Sequence, residues 1–167
     1  MTRHLLLAVL SVVALVLAAC GSEGTYELRW TIGCKTVGQS DCQVRSMKDC
    51  SQRGIDSVEV FAGSPGSTDR ERSIFPCFSP DDGPVGRGPG LGGGEKELTV
   101  YGLSAGGVRL TDAALVDAQI PDEGLVEVSV DIPEPPQCRD GVDNDLDGMV
   151  DLYDTDCADG NDTDESS

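Results

Sequence analysis

Tyr26-Glu27-Leu28-Arg29-Trp30-Thr31-Ile32 alternates apolar with polar side chains. Successive side chains of an extended chain point to opposite faces, so this stretch reads as a β-strand that buries Tyr26, Leu28, Trp30 and Ile32 on one side. Val58-Glu59-Val60, Leu98-Thr99-Val100 and Val126-Glu127-Val128-Ser129-Val130-Asp131-Ile132 repeat the pattern, and Val108 to Leu110 and Leu115 to Ile120 are further strand candidates. Short alternating runs separated by Gly, Pro and Asp turns predict a mainly β chain, an antiparallel β-sandwich over residues 25–132. One short helix is expected over Cys42 to Cys50, capped by Ser40 or Asp41.

Outside the strands the composition changes twice. Asp81 to Gly94 is dominated by glycine and proline. Ordering such a segment costs much backbone entropy, so a mobile surface loop is expected. It has no following helix with Lys or Thr at the offset a phosphate cradle requires. After Ile132, residues 133–137 carry Pro133-Glu134-Pro135-Pro136. Proline lacks the N–H a sheet ladder needs and favours extended backbone, so this segment is read as a stiff spacer that ends the sandwich.

Residues 138–157 carry the sharpest chemical pattern. Counting from Asp143, carboxylates fall at positions 1, 3, 5, 9 and 12 (Asp143, Asp145, Asp147, Asp151 and Asp154), with Gly148 at 6 and Val150 at 8. A chain that wraps one ion turns alternate side chains inward, and a glycine permits the sharp turn that aims the next carbonyl, that of Met149, at the metal. Six to eight oxygen ligands at about 2.3–2.6 Å suit calcium, whereas magnesium demands a tighter octahedron and keeps its waters. Without an ion, so many carboxylates in one short loop repel one another, so binding and folding of the loop should be linked.

These spacings resemble the EF-hand loop. Pro133, Pro135, Pro136 and Gly141 do not form an entering helix, and Asp154 stands where the helix-loop-helix form has glutamate. Asp154 reaches an ion less easily with both oxygens, which implies an affinity of roughly 10⁻⁴–10⁻³ M, as in extracellular modules. Asp143 to Cys157, with Asp151, Asp154 and Asp156, is more similar to a thrombospondin type-3 repeat, where Asp-rich loops and disulfides wrap calcium with little regular structure. It also looks like short Cys-bounded segments in exported proteins of myxobacteria and their relatives. One copy is present where the type-3 family stacks several. The last residues, 158–167, are read as a disordered acidic tail.

At the other end, Arg3 and His4 precede an apolar run from Leu5 to Ala19, interrupted by Ser11. The run is shorter than the roughly 20 residues a membrane-spanning helix needs, and it ends in small residues as a cleavable signal peptide does. Leu17-Ala18-Ala19-Cys20 resembles the bacterial lipobox. That resemblance implies removal of residues 1–19, lipidation of Cys20, and a tether over residues 20–24. Two or three acyl chains, at about 0.8 kcal/mol per buried methylene, hold a protein on a membrane where one does not. The resemblance further implies, from Gly21 in place of aspartate, an outer-membrane destination where the host has one.

Charge and cysteine content narrow the functions. With 12 Lys and Arg against 30 Asp and Glu, the net charge is −18. Phosphate recognition needs clustered cations, so nucleic acid is excluded as a partner. His4 is the sole histidine. Its loss with the signal segment removes Ser-His-Asp and Cys-His catalysis and histidine zinc sites together. With Cys20 lipidated, six of the seven cysteines remain: Cys34, Cys42, Cys50, Cys77, Cys138 and Cys157. An even set without a CxxC motif reads as three disulfides in an oxidising compartment.

Trp30, Cys50 before a Val-rich strand, Phe75-Pro76-Cys77 and the hairpin at Tyr101 resemble small lipoprotein sandwiches of the transthyretin-like or fibronectin-III-like kind. With Cys138 and Cys157 set aside, the other four cysteines allow three connectivities. The preferred one is Cys50–Cys77, which leaves Cys34 and Cys42 to each other. The expectation that emerges is a lipid-anchored, non-catalytic binding or structural module of the cell envelope with a calcium loop. Its protein or glycan partner is not named by the sequence. The alternative is a small carboxylate-dependent enzyme such as a glycoside hydrolase, since paired acids are abundant.

Overall fold

A computed structural model describes residues 23–34 and 42–165. Seven strands run in chain order: β1 (Thr25–Ile32), β2 (Ser57–Gly63), β3 (Glu71–Pro76), β4 (Val85–Arg87), β5 (Gly94–Leu103), β6 (Ala114–Ile120) and β7 (Leu125–Ile132). One helix, α1 (Met47–Ser51), precedes β2. They form two sheets, β4-β1-β7 and β3-β2-β5-β6, which face each other as a sandwich. Every pairing is antiparallel except β1 with β7, which run parallel from Thr25↔Leu125 to Ile32↔Ile132. The first and last strands of the sandwich thus lie side by side, after the chain has built the whole second sheet between them.

The alternation read in Tyr26 to Ile32 sets the core. Tyr26, Leu28, Trp30 and Ile32 are at most 2% exposed and pack with Val58, Val60, Leu98 and Val100 of the opposite sheet. Full burial of one such side chain contributes about 1.5–3 kcal/mol. Trp30 ties the sheets together: its ring stacks on Phe75 at 6.4 Å between centroids, and its Nε1 donates to the Cys77 carbonyl at 3.0 Å. Cys77 is bonded to Cys50, which fastens α1 to the end of β3, and Cys34 is bonded to Cys42.

The outward positions are not simply solvated. Glu27 on β1 is 3% exposed and takes ion pairs from Arg29 at 2.5 Å and Arg87 at 2.9 Å. Glu59 on β2, also 3% exposed, is held by Arg72 and Arg109, each at 2.6 Å. Arg109 in turn lies over the rings of Tyr101 and Phe61, at 4.1 and 5.1 Å. Each carboxylate is desolvated beneath two guanidiniums, an arrangement that strict alternation of polar and apolar residues does not reveal.

Several sequence expectations change. The segment from Asp81 to Gly94 is part of the sandwich and not a free loop. It supplies β4, it buries Leu91, and Gly88 and Leu91 donate backbone hydrogen bonds to Tyr26 and Gly24. A Cβ on Gly88 would stand 2.1 Å from the Tyr26 ring, and one on Gly86 would stand 2.4 Å from Phe75. The glycines are therefore what lets the backbone lie directly on aromatic rings, and those contacts offset the entropy cost. The helix is five residues long and is capped by Ser46, whose hydroxyl accepts from the Asp49 N–H. Ser40 and Asp41 lie outside the described residues. Val108 to Leu110 forms no strand and makes only an isolated bridge between Arg109 and Leu103, whereas Leu115 to Ile120 lies in β6. The strands β3 and β4 have no alternating signature, because β3 is a largely exposed edge and β4 is three residues long.

Candidate metal centre

The segment after the sandwich does not stand off on its proline spacer. A single 3-10 turn at Gln137–Arg139 follows Pro136, and Arg139 donates through Nη2 to the Leu110 carbonyl at 3.0 Å. The Asp140 carbonyl rests on Gly54, where a Cβ would stand 1.8 Å away. Extended prolines bring the chain back across the end of the sandwich, and the Arg139 anchor holds it there. Cys138 is 1% exposed and bonded to Cys157. Closing a loop of this length removes on the order of 3 kcal/mol of chain entropy from the unfolded state.

Within the loop the backbone is shaped by its own aspartates. The carboxylates of Asp140, Asp145, Asp147 and Asp154 each accept the N–H two residues on, from Val142, Asp147, Met149 and Asp156, at 2.7–3.1 Å. Short acidic side chains favour such local turns over helix or sheet. Asp143 reaches further and accepts from Gly148 N–H at 3.1 Å. Gly148 has φ 97°, a left-handed turn, as its place at position 6 predicts. Leu146 and Asp151 also have positive φ, 66° and 53°, where L side chains are strained.

Asp143, Asp145 and Asp147 are brought together: one oxygen from each lies within 4.8 Å of the others, a cluster that can hold a metal ion. Asp154 stands close enough for its charge to act on Asp145. The Asp147 N–H is the largest single influence on the Asp145 carboxyl and lowers its pKa. Desolvation and the charges of Asp147, Asp154 and Asp143 together outweigh that bond and hold the pKa above the usual range. Two oxygens in this group, Oδ1 of Asp143 and Oδ2 of Asp154, are buried with no hydrogen-bond partner, although Asp154 is only 4% exposed. An unpartnered buried carboxylate oxygen is costly, and a cation is the partner that relieves both the desolvation and the mutual repulsion. The donor set is all oxygen, which suits a hard divalent ion.

Asp151 is engaged elsewhere. Its carboxylate accepts the Gly141 N–H at 3.0 Å, and it lies outside the three-carboxylate group. Met149 donates its N–H to Asp147, and its side chain is half exposed. Cys20 lies outside the described residues.

Two buried acids escaped the sequence reading. Asp140 is 6% exposed, and burial pushes its carboxyl up to about 6; bonds from Val142 and Asn144 oppose the rise, and the charges of Asp151 and Glu165 add to it. Glu165 is fully buried, in a tail expected to be disordered. Its Oε2 accepts from Asn144 N–H at 2.9 Å, its Oε1 accepts from Asp151 N–H at 2.7 Å, and its own N–H donates to Gln137. A signal was present in the sequence. Cys157-Ala158-Asp159-Gly160-Asn161-Asp162-Thr163-Asp164 repeats the Cys-x-Asp-Gly-x-Asp-x-Asp order of Cys138 to Asp145. The geometry repeats too, since Asp159 accepts the Asn161 N–H as Asp140 accepts that of Val142.

The sequence matches no family model and no curated protein. Among solved structures, the chain is similar to a leucine-rich repeat protein from Bacteroides thetaiotaomicron, at 11% identity and TM-score 0.43 over 66% of this chain and 12% of that one. It is also similar to a DUF1812 protein of the same organism, at 10% identity and TM-score 0.39 over 66% of this chain and 47% of that one. A third similarity is to the minor pilin of Streptococcus agalactiae, at 12% identity and TM-score 0.38 over 69% of this chain and 46% of that one. The chain thus matches less than half the length of each. Among the described residues no helix is long and apolar enough to cross a membrane. Three disulfides place the fold in an oxidising, exported setting.

Proposed function

We propose that this is a lipid-anchored, exported, non-catalytic surface module of the cell envelope whose C-terminal loop binds calcium. The observation that carries the metal reading is the buried, unpartnered Asp154 Oδ2, set beside the Asp143, Asp145 and Asp147 cluster. These four residues hold the ion, and water completes its coordination. Calcium is favoured over magnesium because the ligands come from a flexible, all-oxygen loop without an octahedral frame. The bound ion would order the loop and fix the surface it presents next to α1. The anchor reading rests on Leu17-Ala18-Ala19-Cys20 and on the even set of cysteines left once Cys20 is lipidated.

Isothermal titration of residues 21–167 is expected to show one calcium site in the high-micromolar to millimolar range and a weaker response to magnesium. No heat and no ordering at millimolar calcium would remove the metal reading. Mass spectrometry of the chain expressed in a bacterial host is expected to find diacylglyceryl on Cys20, and a released, unmodified N-terminus would remove the anchor.

A further inference from the structure

The tail contributes a residue to the ion loop that the metal reading leaves out. Glu165 lies twenty residues from Asp145 in the chain, yet it is fully buried against the loop. Its two oxygens accept the N–H groups of Asn144 and Asp151, which flank the stretch that carries Asp145, Asp147 and Gly148. Both oxygens are taken up by backbone, so Glu165 braces the loop and does not ligate. Asn144 sits between the ligands Asp143 and Asp145, and its N–H direction fixes the peptide that spaces them. Asp151 is held at φ 53°, a strained conformation that needs an outside partner to persist.

The rest of the tail supports the same docking. The Asp162 carbonyl accepts the Cys138 N–H at 3.2 Å, and Gln137 Oε1 receives the Glu165 N–H at 3.1 Å. Against this stands charge. The charge of Glu165, with that of Asp151, acts on the buried Asp140 carboxyl and opposes its ionisation. Positive charge entering the loop would offset this repulsion and favour the docked carboxylate.

We infer that Glu165 is the positioning residue of the calcium loop, so that ion binding and docking of residues 158–165 are one linked event. The inference rests on the calcium reading above. Removing a group that orients metal ligands without touching the metal typically lowers affinity about 10–100-fold. A Glu165→Gln side chain keeps one acceptor oxygen and should recover part of what Glu165→Ala loses.

The test uses the full chain in detergent micelles, titrated with calcium and followed by amide hydrogen exchange. In the wild type, calcium is expected to slow exchange at Asn144, at Asp151 and across 158–165 together. Glu165→Ala should weaken calcium binding by about tenfold or more, with the tail exchanging freely and the exchange of β1 and β5 unchanged, and Glu165→Gln should fall between. If the wild type binds calcium while Glu165→Ala binds equally well, or if tail exchange ignores calcium, the inference is overturned and the metal reading stands. If the wild type binds no calcium, both fall together.

Discussion

The sandwich and the segment beyond it are held together by opposite means. In the sandwich, the interior is aromatic and aliphatic, centred on Tyr26, Trp30 and the facing valines. Beyond Ile132 the buried residues are Pro135, Cys138, Asp140, Asp154 and Glu165, while Leu146, Leu152 and Tyr153 are 64–89% exposed. One region excludes water with apolar surface and places its charges under arginines. The other turns its apolar side chains outward and packs carboxylates inward. Such an inversion is held by a covalent tie, Cys138–Cys157, and by local Asp-to-backbone bonds.

The largest effect expected from breaking this contrast is on the sandwich side. Trp30→Ala removes the ring that stacks on Phe75 and the bond to Cys77, and should cost about 3–5 kcal/mol in denaturant unfolding of the body. A smaller effect comes from Gly88→Ala, whose new methyl meets the Tyr26 ring. It should cost about 1–3 kcal/mol in the same measurement if the glycine-rich segment is core, and nothing if that segment is free.

Acid separates the two regions by sign. The folded-state pKa of Asp140 is raised, so in chelator its contribution to loop stability is full below the unfolded value of 3.8 and is lost as pH rises through about 6. Glu27 is held low, first by its hydrogen bond from Arg87. For Glu59, desolvation is the largest single influence and raises the pKa, but the bonds and charges of Arg72 and Arg109 together carry it below 4.5. These two stabilise the sandwich at neutral pH and cease to do so as pH falls through their lowered values. Lowering pH from about 7 to about 5 without calcium should therefore raise the protection of loop amides, after correction for the intrinsic pH dependence of exchange, and leave the protection of sandwich amides unchanged. The smallest effect expected is from Leu146→Gly, which relieves a positive φ at an exposed position. It should stabilise the loop by about 1 kcal/mol, read as tighter calcium binding.

What the sequence showed and hid follows the same division. Strands buried on one face declare themselves by alternation, so β1, β2, β5, β6 and β7 were legible from residues such as Tyr26 to Ile32. The edges β3 and β4 were not, because exposed or glycine-rich strands carry no period. Glycine content misled at Gly86 and Gly88, where close approach to a ring and loop freedom demand the same residue. In the loop, spacing pointed to Asp143, Asp145 and Asp147, whose oxygens the fold gathers. It could not show that Asp151 turns to the Gly141 N–H, nor that Glu165 returns across the chain, because both depend on which backbone N–H groups the fold leaves to be satisfied.

The most direct test compares calcium titrations of the wild type and Asp154→Ala by calorimetry. Asp154 bears one of the two buried carboxylate oxygens that have no hydrogen-bond partner. The wild type should bind one calcium, and the variant should lose that binding while the sandwich unfolds at an unchanged denaturant concentration. Equal calcium binding by both chains, or none by either, would contradict the assignment of this loop as a metal centre.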